Sequence, residues 1–235
     1  ALLSDQHQGS ISQALHKINL LAEKQQIQKN SENSQDINQL FMLIEECIYL
    51  GTIPFSILAR HGFIAKTLLL SLAQCGILSK DEINKILASI RTIASDLVDD
   101  MNRFHRKEVS RNEFLDQYGH LRPGTYDIMS LRYDQMPDFS QMGFEKVEKK
   151  EISKFDLTLS QKKSIDKVLE SNGFKGMDCD GFLTYVREAT AGREYGKFIF
   201  TKSVSNILEI ITKYGEAHFL SREELSHIPI NEFLS

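Results

Sequence analysis

Apolar residues recur at three- and four-residue intervals along almost the whole chain, and this periodicity constrains the fold more than any other feature. The stretch from Ile83 to Phe104 carries it most clearly. We find no convincing strand alternation and no internal repeat. Because each such helix presents one apolar stripe, the stripes must pack against one another. The sequence therefore predicts an all-α fold, a multi-helix antiparallel bundle with two long helices and an irregular loop region.

Capping residues predict where the main helices begin. Three serine or threonine residues precede Glu or Gln by three positions, which is the capping-box pattern: Ser79, Thr158 and Ser221. The first is predicted to open a continuous helix of roughly 25 residues, about 38 Å long. Asp178 or Asp180 is expected to cap a second long helix that runs from about residue 181 to 213, and Gly173 is expected to end the helix before it.

Breaks in the pattern divide the rest of the chain. In the N-terminal part, helices are predicted over 10–28 and 36–50, and Gly51–Pro54 is read as a break before helical sequence resumes to Gln74. Residues 130–157 are the least regular and contain the charged run 145–151. This segment is either an exposed connection or a mobile lid over a site.

Composition limits the function classes. At 235 residues the chain can bury a real core, and a net charge of −4 with a pI near 6.0 argues against nucleic-acid binding. No run of 18 or more apolar residues occurs, so no membrane span is expected. The three cysteines are widely separated, which favours reduced thiols and a cytoplasmic location.

The loop after residue 118 is the first candidate site. A helix is predicted to end at Tyr118 with Gly119 as a left-handed C-cap, and residues 122–125 form a Pro-Gly turn. His120 could act as an acid or base, and the guanidinium of Arg122 suits phosphate or carboxylate. Alternatively Asp127 pairs with Arg122 and His120 bonds the backbone, so that the loop only folds itself. The loop also contains Thr125, Tyr126 and Arg132.

A second candidate cluster lies on the later long helix. Arg193 and Lys197 share one helical face, and Glu194 is displaced by about 100° around the axis. The cluster is either an anion site or a solvated face. It is not a phosphate loop, because only three residues separate Gly192 from Gly196 and no strand precedes them. Gly192 is expected to permit close helix packing. No metal site is predicted.

Two sequence blocks resemble one known group of enzymes. The run 118–127, Tyr-Gly-His-Leu-Arg-Pro-Gly-Thr-Tyr-Asp, followed by Arg-Tyr-Asp at 132–134, resembles the Tyr-Gly-His-Arg…Pro-Gly-Glu…Asp…Pro-Arg block of phosphoenolpyruvate synthase-like and pyruvate phosphate dikinase-like phosphotransferases, which include the rifampicin phosphotransferases. The run 193–198, Arg-Glu-Tyr-Gly-Lys-Phe, is similar to a helix of the same proteins. The blocks are in the expected order, and the likeness covers roughly residues 83–233.

The resemblance implies a domain of a larger enzyme. Such enzymes combine an ATP-grasp domain, a helical middle domain and a swivelling domain whose histidine carries phosphate. This chain is similar to the helical middle domain alone, so ATP and Mg²⁺ would belong to a full-length parent and this chain would bind no cofactor. Residues 1–235 are then a single helical domain, with an N-terminal helical subregion over about 1–78 and a family-like core over 79–235, and the domain is expected to be inactive alone.

The resemblance also implies roles for the two clusters. Arg122 and Arg193, with Lys197, would stabilise charge on the phosphoryl group, while His120 would position or deprotonate a small-molecule acceptor and Glu194 would orient an arginine. The remaining expected acceptor-binding residues are Tyr118, Thr125, Tyr126, Asp127 and Arg132. Leu121 and Thr125 depart from the rifampicin-type block, so a different acceptor is expected. The alternative function is a non-catalytic helical module that docks a partner domain.

Overall fold

The fold is an all-α bundle, as the periodicity predicts. The computed structural model describes residues 9–29, 37–138 and 156–234, and no strand occurs within these ranges. The helices are α1 (Ser10–Lys29), α2 (Leu40–Glu46), α3 (Ile53–Gln74), α4 (Lys80–Ala88), α5 (Ile93–His105), α6 (Arg111–Tyr118), α7 (Leu159–Ser171), α8 (Cys179–Ala217) and α9 (Arg222–Ser226). Short 3₁₀ turns cover Ile37–Gln39, Tyr133–Gln135 and Ile230–Phe233.

Helix α8 is the centre of the bundle. It packs against α1, α2, α3 and α9 along its length, and α5 and α7 also contact it. Gly196 lets α3 approach closely, because a Cβ there would lie 2.8 Å from Leu58 Cδ1. The prediction that Gly192 permits close packing is not confirmed, because a Cβ there would make ordinary contact at 3.5 Å with Leu15 and Leu58. The main hydrophobic core joins residues on both sides of the predicted boundary at 78/79, so the two subregions share one core.

A smaller core positions the loop region. Met101 of α5 packs with Phe114 and Tyr118 of α6, and Phe198 of α8 lies against this group. Since these side chains come from three helices, they fix the end of α6 against the middle of α8. The loop that follows Tyr118 therefore starts directly on the surface of α8.

The predicted break at Gly51–Pro54 is wrong. The helical path continues from Ile37 to Gln74, with a π-helical segment over Cys47–Thr52. A Cβ at Gly51 would lie 2.8 Å from Phe200 Cβ, so glycine allows close approach to α8. Pro54 stands in the first turn of α3, where its missing N–H falls beside the wider π turn. Gly51 and Pro54 therefore do not end the helix.

The predicted continuous helix from Ser79 to Phe104 is also wrong. It is divided into α4 and α5 at residues 89–92. Thr92 has an extended backbone and caps α5, because its side chain accepts a hydrogen bond from Ser95 N at 3.4 Å. Ile90 within the break is buried, so the apolar spacing continues through it and hides it in the sequence. The second long helical segment is Ile37–Gln74 instead.

Replacing Thr92 with alanine is expected to lower the free energy of unfolding by about 1 kcal/mol, because α5 loses its side-chain N-cap. Chemical denaturation of the two proteins measures the difference. Thr92→Ser keeps the hydroxyl and should stay near wild type. A Thr92→Ala variant as stable as Thr92→Ser would mean that the cap contributes nothing.

Other predicted boundaries are confirmed. The capping boxes at Ser79, Thr158 and Ser221 are present, Asp178 caps α8 and Gly173 follows α7 with a φ of +82°. Helix α1 covers the predicted span. Residues 30–36 and most of the irregular segment, including the charged run 145–151, lie outside the described residues.

One described segment, Ile37–Gln74, is long and apolar enough by composition to cross a membrane, and 28% of its most apolar stretch is buried. Several large apolar side chains on it are exposed, including Phe41, Tyr49 and Phe63. A single segment of this kind is weak evidence for a membrane span. That the chain has no membrane-spanning helix and that the protein is cytoplasmic both stay predictions.

Candidate functional site

The chain turns sharply from α6 into the candidate loop at Gly119. Its φ is −58°, so the predicted left-handed C-cap is wrong. Glycine is needed for a different reason: a Cβ here would lie 2.4 Å from Leu115 O and 3.1 Å from the side chain of Asp134. The close approach of residue 134 folds the loop back on itself, and the next residue, His120, is directed into the interior.

His120 is a buried, incompletely satisfied histidine. Its residue surface is 4% exposed, and its ring lies edge-on to Phe198 with 4.8 Å between ring centroids. Its Nε2 atom has no hydrogen-bond partner among the described residues. Burial, followed by the charges of Lys202 and Arg132, lowers the pKa of His120 to about 3. Backbone contacts with Phe198 and Gln117 oppose this shift only in part, so the imidazole is neutral at physiological pH. A buried polar atom without a well-formed hydrogen bond is uncommon in a folded interior.

Two cavities meet at His120. The larger cavity has a volume of about 480 Å³ and lies between α1, α2, α6, α8 and the loop; it is lined by Gln25, Gln28, Leu43, Asn112, Leu115, Asp116, His120, Arg132, Asp134, Lys202, Ser203, Asn206 and Glu209. The smaller cavity, of about 250 Å³, lies between α5, α8 and the loop; it is lined by Ile93, Ala94, Leu97, His120, Leu121, Arg122, Thr125, Glu194, Lys197, Phe198, Thr201 and Ser205. Both volumes are within or close to the usual range for small-molecule sites.

Arg122 is held by a buried ion pair with Glu209. Its side chain is 1% exposed, and one guanidinium nitrogen donates to Glu209 Oε1 at 2.7 Å. The same group donates to Ser205 Oγ, Ser205 O and Ser130 O. Burial lowers the pKa of Arg122, against the opposing effect of Glu209. With its nitrogens used in this way, Arg122 fixes the loop to α8.

Glu209 is the centre of that network. It accepts hydrogen bonds from Arg122, from Arg222 of α9 and from Gln135 of the loop. Burial alone would raise the pKa of Glu209, but these partners hold it below the usual value. One carboxylate thus connects the loop, α8 and α9.

The predicted pairing of Asp127 with Arg122 is wrong. Asp127 is exposed and its carboxylate accepts a hydrogen bond from Met129 N at 2.9 Å, which is a local turn contact. Asp127 lies close to Arg122 in the sequence, whereas Glu209 is 87 positions away from it. The sequence therefore suggests the near carboxylate as the partner, and only the tertiary structure brings in the distant one.

The second cluster is divided between two surfaces. Glu194 and Lys197 line the smaller cavity with His120. Arg193 lies outside the lining of both cavities: its guanidinium stacks 5.2 Å above the Phe63 ring and lies 3.6 Å from Glu194. Of the four residues expected to act in catalysis, three therefore line one cavity and Arg193 does not.

The other expected binding residues are similarly dispersed. Thr125 lines the smaller cavity and Arg132 the larger one. Tyr126 is 64% exposed and lines neither. Tyr118 is buried and donates to Asp100 Oδ2 at 2.9 Å; burial and this hydrogen bond raise its pKa. Its position in the small core makes Tyr118 a support for the loop.

Sequence reasoning missed several residues of the larger cavity, chiefly Glu209, Lys202 and Asn206. A signal for Glu209 was present: Ser205, Glu209 and Thr212 are polar residues on the buried side of α8, where the apolar stripe should continue. Polar groups in such a stripe require partners. That signal predicts a polar network, although it does not name Arg122 as the partner.

No group of three or more His, Cys, Asp or Glu side chains suited to a metal occurs in the described ranges. The segment 192–197 lies within α8 and forms no phosphate-binding loop. The expectation that ATP and Mg²⁺ belong to a full-length parent stays a prediction.

Comparisons with models of known protein families, with curated proteins and with solved structures found no match.

Proposed function

We propose that this chain is the acceptor-binding helical domain of an ATP-dependent phosphotransferase of the phosphoenolpyruvate synthase-like type. The observation that carries the proposal is the buried His120, which lines both cavities and whose Nε2 has no well-formed hydrogen bond within the described residues. The two sequence blocks also meet there, because His120 of the first packs on Phe198 of the second. ATP with Mg²⁺ would supply the phosphoryl group in the parent, through its ATP-grasp and phosphohistidine domains.

His120 suits the task of receiving a proton from an acceptor hydroxyl. A neutral imidazole nitrogen can accept a hydrogen bond from O–H. With a pKa of about 3 it is a weak base in the free protein. An approaching phosphoryl group brings negative charge, which favours imidazolium and raises the pKa. His120 therefore first positions the hydroxyl and becomes a stronger base as transfer proceeds.

A P–O bond forms between the acceptor oxygen and phosphorus while the P–N bond of the carrier histidine breaks, and its electron pair stays on the carrier imidazole. The acceptor hydroxyl proton passes to His120 Nε2 once binding of the acceptor has uncovered this buried atom, and it is released to water when the product leaves. Lys197, in the lining of the smaller cavity, would supply positive charge beside the phosphoryl oxygens.

The test uses the natural gene product and labelled ATP. His120→Asn should lower label transfer to a small-molecule extract by about 100-fold, because general-base and positioning effects are lost. Acid-labile label on the protein should be unchanged, because its formation does not involve this domain. His105→Asn, at an exposed histidine of α5, is the matched control.

Two results would overturn the proposal: a gene product that gains no label from ATP, or a His120→Asn variant that transfers label at the wild-type rate. Either result would favour the alternative function, a non-catalytic helical module that docks a partner domain. That alternative is supported by the exposed apolar side chains of α2 and α3, such as Phe41 and Phe63.

A further inference from the structure

The larger cavity has a polar lining with little net charge available to a ligand. Both cations of its lining already have partners: Arg132 donates to both oxygens of Asp134 and to Asn206 Oδ1, and Lys202 also interacts within the chain. Its anion Glu209 is already matched by Arg122 and Arg222 from outside the cavity. Polyanions such as nucleotides are bound by clusters of uncommitted cations. This lining, in which acidic side chains outnumber basic ones, does not provide such a cluster.

Several neutral groups of the lining can form hydrogen bonds with a ligand. Asn112 has no side-chain hydrogen bond within the described chain, and the amide nitrogen of Asn206 has none there either. The Ser203 hydroxyl accepts from Gln25, which leaves its proton to donate. His120 adds the buried Nε2. Only two apolar residues, Leu43 and Leu115, line the cavity.

We propose that the larger cavity binds a neutral polyhydroxylated molecule, a sugar or polyol, and places one of its hydroxyl groups beside the His120 ring. Such a ligand donates and accepts from every oxygen, which matches a lining of amides, a hydroxyl and an imidazole. A ligand of this size is compatible with about 480 Å³. The identity of this hydroxyl as the phosphoryl acceptor rests on the proposed function, whereas the binding itself does not.

Binding is measured directly by ligand-observed NMR and calorimetry on this chain. The probes are glucose, ribose, sorbitol and glycerol, with inorganic phosphate and cyclohexanol for comparison. We expect at least one polyhydroxylated probe to bind, and Asn206→Asp to weaken it by about fivefold. This change keeps the Oδ1 acceptor for Arg132, replaces the amide donors with an acceptor oxygen and adds a negative charge. Asn112→Leu should weaken the same probe.

Asn19→Asp is the matched control. Asn19 accepts a hydrogen bond from Tyr195 outside both cavities, so the same chemical change there should leave binding unaltered. Binding of phosphate or cyclohexanol in preference to all four polyhydroxylated probes would overturn the inference, as would no binding at all. Equal weakening by Asn19→Asp and Asn206→Asp would also overturn it, because the effect would then be independent of the cavity.

The two proposals fail separately. Sugar or polyol binding without label transfer in the parent protein would leave this inference standing and remove the phosphotransferase proposal. Label transfer to an acceptor that is not a sugar or polyol would support the phosphotransferase proposal and remove this inference.

Discussion

Replacing Glu209 with glutamine is expected to lower the free energy of unfolding by about 3–5 kcal/mol. The change keeps the shape of the side chain but removes the charge that faces Arg122, whose side chain is 1% exposed. An uncompensated buried guanidinium has no access to water, and Arg222 loses the same partner. Urea or guanidinium denaturation measures the loss. The loop should loosen as well, since Gln135 and Arg122 both bond this carboxylate.

Glu188→Gln is the matched control for this change, because Glu188 lies exposed on the same helix and should alter stability by no more than about 0.5 kcal/mol. The double variant Arg122→Met with Glu209→Leu should be destabilised by clearly less than the sum of its single variants, because neither charge is then left alone. If Glu209→Gln were no less stable than Glu188→Gln, the buried pair would not support the fold.

The stability of the protein is expected to fall as the pH is lowered from about 6.5 towards 3, and His120 is the cause. Its pKa is about 3 in the folded protein against 6.5 for an ordinary histidine. Between these values the unfolded chain binds a proton that the folded chain does not, so lower pH favours unfolding. The contribution amounts to about 3 kcal/mol between pH 7 and pH 4.

The measurement is the free energy of unfolding at pH 7 and pH 4 for wild type and His120→Asn. The variant should lose about 3 kcal/mol less over this interval, even if it is less stable at both pH values. Carboxylates such as Glu209 also lose their stabilising effect in acid, at pH values below their lowered pKa, but they are common to both proteins. His105→Asn should retain the wild-type difference. An equal difference in wild type and His120→Asn would show that His120 is not buried in its neutral form.

The sequence by itself determined features that depend on neighbouring residues. Capping boxes at Thr158 and Ser221, the cap at Asp178 and the stop at Gly173 were all predictable, because each involves a side chain and a backbone group within a few positions. The all-α class followed from the 3.6-residue period, which requires only that apolar side chains share a helical face. The loop after Tyr118 was recognisable as a candidate site from its turn residues and its mixed polar groups.

Only the tertiary structure decided whether helices continue, bend or end where local signals conflict. The apolar period runs unchanged through the break at residues 89–92, because Ile90 is buried inside it. Conversely, Gly51 and Pro54 resemble a break, yet the chain passes them in a π turn because Gly51 packs on Phe200 of α8. In both cases a contact with another helix outweighs the local preference.

The partners of the site residues also came from tertiary structure alone. His120 and Arg122 are brought to the face of α8 that carries Phe198, Ser205 and Glu209, while Arg193 of the same helix lies over Phe63. Helical geometry assigns residues to faces, but which face meets the loop depends on how α3, α5 and α6 pack around α8. The sequence therefore indicated His120 and Arg122 as candidate site residues, but only the packing showed that Arg122 is held by Glu209 and Ser205 and that His120 is buried against Phe198.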